Sequence, residues 1–364
     1  MSNRLSPALR KTLDILLLSS PLWAFCAIAY VYTCLALGIQ AYIWPALILA
    51  CAPLVLNYLR TGSLSNRTIF DLPILIYLVT VINGLIISAA PQISLMGFVS
   101  VFLMLLLYYF IANYPFSRAA MYWSIAGLII LPAATIVIGY SIWPQFVEWS
   151  TVLGGIDLPA GVVPHHNGIS SALFFCGLVL LGMLIMWQNR RLQIVFAVVF
   201  AVFTALVVWL DIESLSRLIL GISFDGRIET LWLPTIEMIK ANPVSGIGFG
   251  CWAYVFHRGK LAALAAHPHN AYLEYYVHTG ILGAIAALLA FILGIRAVIQ
   301  IFRSGYMPFW SGLTLGLVLA MAGMLLLGII EDTPSAYAIA GSTSYHYLVS
   351  PFPWLIGAGL AAAH

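Results

Sequence analysis

The chain is cut into apolar runs about as long as a bilayer is thick, and few folds tolerate that. A membrane-spanning helix needs roughly 20 predominantly apolar residues. Runs of that kind lie near 13–36, 40–59, 69–89, 94–114, 119–141, 168–187, 192–210, 280–302, 308–330 and 346–362. Only 7% of the residues are charged and the mean hydropathy is +1.03. A soluble domain carries about 25% charged residues, so lipid must be the solvent for most of this surface. Only helices and closed barrels satisfy their backbone groups in lipid, and runs this long read as helices. The expected fold is an all-α integral membrane protein. It forms a single polytopic domain over 1–364 with about ten transmembrane helices.

The basic residues set the topology. With the N-terminus inside, Arg4, Arg10, Lys11, Arg60, Arg67, Arg118, Arg190, Arg191, Arg296 and Arg303 all fall on one side, out of 15 Lys and Arg in total. The positive-inside rule makes that side the cytoplasm. Arg217, Arg227, Lys240, Arg258 and Lys260 are left, and all lie in one outside segment, 211–269. As a set they read as an outward anion-binding surface. The N-terminal apolar run lacks a small-residue cleavage site and reads as an uncleaved span. There is no basic tail for nucleic acid. The five cysteines form no CxxC pair and outline neither a disulfide framework nor a zinc site.

Two outside loops exceed turn length. The first, 142–167, ends in "GVVPHHNG", which contains His165, His166 and Asn167. In the second, Ile228, Leu231, Trp232, Thr235, Ile236 and Ile239 recur at helical spacing. That spacing predicts a helix opening at Asp225 or Gly226 and ending at Asn242-Pro243, with its apolar side on the membrane surface. Arg227 then stands at a helix N-terminus, where free N–H groups favour anions. "GIGFG", 246–250, has no Walker lysine and reads as a tight turn against the membrane face, not a nucleotide loop.

Residues 265–280, "AAHPHNAYLEYYVHTG", collect polar groups that the chain otherwise avoids. Pro268 can open a helix on which Asn270, Glu274 and His278 share one stripe, with His278 able to pair with Glu274. Tyr272, Tyr275 and Tyr276 read mainly as an interfacial aromatic belt. His267 and His269 stand at the helix start, level with the outer surface. Together with His165 and His166 they lack the carboxylate or cysteine of a helix-borne zinc motif. A general base is the simpler role, because an imidazole titrates near pH 6.5. No metal or cofactor is expected.

The pieces "GRIETLW", "NPVSGIGFG" and "HPHNAYLEYYVHTGILG", in that order over 226–283, resemble the O-antigen ligase/polymerase family of polytopic membrane glycosyltransferases. The resemblance implies an active face on the periplasmic side of the bacterial inner membrane. It implies a metal-independent, inverting transfer of a glycan from a polyprenyl diphosphate carrier to a hydroxyl. The acceptor would be another repeat unit in exopolysaccharide or O-antigen polymerisation, or lipid A-core in ligation. By position Arg227 would bind the donor diphosphate and His269 would orient or deprotonate the acceptor. Asn270 and Glu274 would shape the pocket. His166, Asn167 and His267 would approach it, and Arg217, Arg258 and Lys260 would be further phosphate contacts. The family's mid-chain Ser-Arg-Gly has only Ser216-Arg217 as a counterpart, ten residues before Arg227.

Two other classes compete. A transporter or flippase needs ionisable groups at mid-span, and here Asp14 and Asp71 lie near span ends. A non-catalytic partner in polysaccharide assembly would be indifferent to loss of His269 or Arg227.

Overall fold

The computed structural model describes residues 6–18, 43–112, 177–186, 190–191, 193–195, 197–202, 205, 224–256, 268–303 and 308–328. Among these residues every regular element is helical. The helices are Pro7–Leu18, Ile43–Ala50, Ala52–Thr61, Asp71–Ile86, Pro91–Ala112, a composite running from Phe224 to Ala241, Trp252–Phe256, Ala271–Arg303 and Pro308–Leu327. Two contain stretches long and apolar enough to cross a membrane, Ile93–Phe110 and Ala271–Arg303, and Asp71–Ile86, Gly177–Met186 and Gly312–Gly323 are shorter apolar helices. The spans expected at 119–141 and 346–362, and the loop at 142–167, lie outside the described residues.

Local chemistry sets the helix ends. Pro91 opens its helix, where a missing N–H costs nothing. Gly62 closes another in the left-handed conformation, φ 83°, and its N–H returns to the Tyr58 carbonyl. Asp71, first residue of its helix, accepts from the Thr68 N–H at 3.1 Å and from its hydroxyl at 2.6 Å, which ties the preceding turn to the Asp71–Ile86 helix. Tyr108 then donates to the Thr68 hydroxyl at 2.7 Å and Tyr109 to Asp71 at 3.2 Å. These bonds fix the register of the hairpin formed by Asp71–Ile86 and Pro91–Ala112.

The tertiary contacts sort the helix ends into two groups. Arg60 pairs with Asp14 at 2.5 Å, and these residues share an end with the Thr68–Tyr108 bonds. At the opposite end, Ser94 donates to the Phe249 carbonyl, Ala271 N–H donates to the Gly328 carbonyl, and Tyr272 donates to the Leu325 carbonyl.

The Ala271–Arg303 helix packs chiefly along Asp71–Ile86. Gly283, Ala286, Gly294, Ala297 and Ile301 are buried, while Leu282, Ile285, Leu288, Ile292, Ile295 and Ile299 are exposed. Small residues inward and large apolar residues outward is the pattern of a helix solvated by lipid, because close approach is what holds helices together there. The same device joins Gly182 to Gly316, where a Cβ on Gly182 would overlap the Gly316 backbone.

Candidate active site

The site is built where one helix breaks and a loop enters the break. Gly280 stands at φ 64°, ψ −162° inside the Ala271–Arg303 helix, a conformation that essentially only glycine adopts. In an unbroken helix the Ile281 N–H would bond the Val277 carbonyl. Here the Ile281 N–H donates to the Pro243 carbonyl at 3.1 Å, and the Val277 carbonyl accepts from the Ile247 N–H at 2.8 Å. One helical bond is exchanged for two loop bonds, so the break leaves neither group unsatisfied. A Cβ on Gly246 would stand 2.6 Å from the His278 carbonyl, and one on Gly280 would overlap the Val244 carbonyl. Both backbones approach too closely for any side chain.

The glycine turn is therefore a tight turn, as expected, but it lies on protein. Gly246, Gly248 and Gly250 have φ of 70°, 102° and 75°. Phe249 is buried between the helices of the 71–112 hairpin, with its N–H side near Gly84 and its ring against Gly97. Ser94 donates to the Phe249 carbonyl at 2.6 Å and stands 2.7 Å from the Ser88 hydroxyl. Buried Cys251 lies 3.0 Å from that hydroxyl.

The helix bearing Arg227 is not uniform. Its described part runs from Phe224, three residues before Arg227, and it ends at Ala241 with Asn242 as cap. Between them, Ile228–Trp232 is a π turn, closed by the Leu233 N–H on the Ile228 carbonyl. Pro234 explains it: the ring has no N–H and would collide with the carbonyl four residues back, at Thr230. The wider turn just ahead removes that collision and rotates Arg227 relative to the residues beyond. The apolar stripe of this helix also differs from the expectation. Leu231, Met238 and Ile239 pack on a core of Ile247, Trp252 and Val277, so much of the face meets protein rather than the membrane surface.

His269 is the single non-glycine residue with positive φ among those described, at 51°. Left-handed backbone costs an ordinary residue about 1–2 kcal/mol and concentrates at functional sites. Asn270 follows as the cap of the Ala271–Arg303 helix, its Oδ1 accepting from Tyr272 N–H at 3.1 Å and Leu273 N–H at 3.0 Å. The helix thus opens after Asn270, not at Pro268, and Asn270 supports the corner through that oxygen. An Asn two residues past a proline was a readable cap signal. Asn270, Glu274 and His278 do share one buried stripe, at 8%, 1% and 0% exposure.

The tyrosines do more than line an interface. Tyr272 bonds the Leu325 carbonyl, Tyr275 stacks on Tyr77 with ring centroids 5.7 Å apart, and Tyr276 reaches the Pro243 carbonyl at 3.4 Å. His278 Nε2 accepts the Trp252 N–H at 3.2 Å. No local pattern announces this bond or the place of Trp252 in the core.

Two expected site residues are brought to neighbouring ground. Trp232 Nε1–H donates to the Pro268 carbonyl at 3.0 Å, which holds the Arg227 helix against the corner bearing His269. His166, Asn167, Arg217, Arg258, Lys260 and His267 lie outside the described residues. Among the described residues no group of three or more His, Cys, Asp or Glu side chains is placed to hold a metal.

No curated protein matches the sequence. Residues 160–288 match the family described as O-antigen ligase. Its members are membrane proteins of polysaccharide assembly that handle lipid-linked glycans. The matched segment holds Arg227, the glycine turn and His269, and through it the chain is similar to the O-antigen ligase family.

Proposed function

We propose that the protein transfers a glycan from a polyprenyl diphosphate carrier to a hydroxyl acceptor at the periplasmic face of the bacterial inner membrane. The observation that carries this reading is the Trp232–Pro268 bond. It brings a guanidinium-bearing helix and a strained histidine corner together inside the family-matched segment. The gathering of 84–94, 246–251, 268–280 and 325–328 at one end of the helices supports a shared face, and the positive-inside count makes that face the outer one.

Each residue follows from the chemistry. The acceptor oxygen attacks the anomeric carbon, the bond from that carbon to the diphosphate oxygen breaks, and the configuration inverts. The leaving diphosphate keeps the electron pair. Arg227 offers a planar fork of donors to it, and stabilising this developing charge is the largest available contribution. His269 takes the acceptor proton. A diphosphate is already a good leaving group, so the site needs no general acid and no metal. Arg217, Arg258, Lys260, His166, Asn167 and His267 supply further contacts to the diphosphate and the sugars.

Lipid-linked glycans extracted from a deletion strain test the reading and choose between its two forms. Accumulated single repeats on the carrier mean polymerisation of exopolysaccharide or O-antigen. Accumulated long chains on the carrier mean ligation to an acceptor such as lipid A-core. A lipid-linked pool unchanged from wild type would contradict both.

A further inference from the structure

The polar groups that join the three pieces of the site form one chain of bonds. His278 Nε2 accepts the Trp252 N–H at 3.2 Å, Trp252 Nε1–H donates to the Thr235 hydroxyl at 2.8 Å, and that hydroxyl donates to the Leu231 carbonyl at 2.6 Å. His278, Trp252 and Thr235 are each fully buried. An N–H bonds only to an unprotonated ring nitrogen, so His278 is held with its lone pair on Nε2. One end of the chain sits on the turn before the Gly280 break. The other sits on the helix of Arg227, between Arg227 and the end of that helix. Trp232, one position beyond Leu231, closes the circuit on the Pro268 carbonyl next to His269.

Apolar packing around Ile247, Trp252 and Val277 would bury these side chains without any of the bonds. What the bonds add is direction. Thr235 can satisfy the indole N–H only at one rotation of the Arg227 helix, and that helix has a π turn just ahead, where rotation is least constrained. His278 in turn fixes the height of Trp252 against the broken helix.

We propose that His278 and Thr235 are positioning residues which, through Trp252, set the rotation of the Arg227 helix relative to the His269 corner. This rests on the reading of Arg227 and His269 as the transfer site. Neither residue touches substrate. Both act by holding two catalytic groups within the few tenths of an ångström that transfer demands.

The test uses the full chain in the deletion strain, with surface glycan measured per membrane copy, and hydrogen exchange on the purified protein without substrate. Thr235→Val keeps the shape and removes the acceptor, and Thr235→Ser keeps the acceptor. His278→Leu removes the second acceptor, and His278→Gln keeps one at similar reach. We expect the Val and Leu variants to lose about tenfold in output per copy, as one buried donor left unsatisfied does. The Ser and Gln variants should stay within about twofold of wild type. Exchange should rise together over 224–241 and 252–256 in the Val variant.

Full output from the Val and Leu variants, with Arg227→Ala inactive, would overturn the proposal and leave the transfer site standing. Equal loss in all four variants, or loss of the Val and Leu variants from the membrane, would overturn it too, because the bonds would then be needed only for folding. If Arg227→Ala is fully active, the transfer site itself falls. In that case unchanged exchange in Thr235→Val sinks the bond network as well, and raised exchange retains it as a purely structural coupling.

Discussion

The 71–112 hairpin and the 224–280 segment obey different rules. The hairpin is two plain helices with a proline start, an aspartate that anchors the preceding turn, and tyrosine bonds at the end that holds Thr68. Among its described residues the segment holds a π turn, three left-handed glycines, a left-handed histidine and a broken helix. Departures from local preference survive only where surrounding structure over-determines them, and in proteins they gather where chemistry is done. The regular region serves here as the wall: Gly84, Ser88, Ser94 and Gly97 are the surface on which the irregular loop is cast.

This contrast can be broken at several points. The largest effect belongs to Gly280→Ala. A methyl there meets the Val244 carbonyl and forces a glycine-only conformation on alanine, so about 3 kcal/mol or more of stability should be lost. Thermal unfolding in detergent reads it, and Val79→Ala, exposed on the hairpin, serves as a control with little change. A Gly280→Ala protein as stable as wild type would mean that the break is not needed to seat the loop. Ser94→Ala comes next, at about 1–3 kcal/mol, because the buried Phe249 carbonyl loses its donor. Tyr108→Phe should cost about 1 kcal/mol and leave glycan output per copy unchanged, since it removes a bond at the far end of the hairpin. The smallest shift has the opposite sign. His269→Gly relieves left-handed backbone and should be neutral to about 1 kcal/mol more stable, less the cost of a freer unfolded chain, while output disappears. If that variant kept its output, the strain at 269 would have no catalytic purpose.

The regular region was the legible one. Apolar runs placed at 69–89, 94–114, 280–302 and 308–330 meet helices at Asp71–Ile86, Pro91–Ala112, the stretch after Gly280 to Arg303, and Pro308–Leu327. Helical period and length are local signals, and lipid enforces both. The stripe of Asn270, Glu274 and His278 was legible for the same reason. The irregular region was legible in its residue types but not in its shape. Arg227, the glycine turn and His269 could be picked out by motif, yet nothing local announces that Ile247 will take the Val277 carbonyl. Ser94 and Phe249 are 155 positions apart, and no periodicity reaches so far. The π turn was hidden because Pro234 sits within an otherwise sound helical repeat. The capping bonds of Asn270 were not read, because a capping asparagine and a pocket asparagine look alike in a sequence.

The central claim is that Arg227 and His269 form one transfer site. It is tested most directly by surface or secreted glycan in a deletion strain carrying wild type, Arg227→Ala or His269→Ala at matched membrane levels. The account predicts that both variants insert and neither restores glycan. Full restoration by either one, at wild-type abundance, would contradict it.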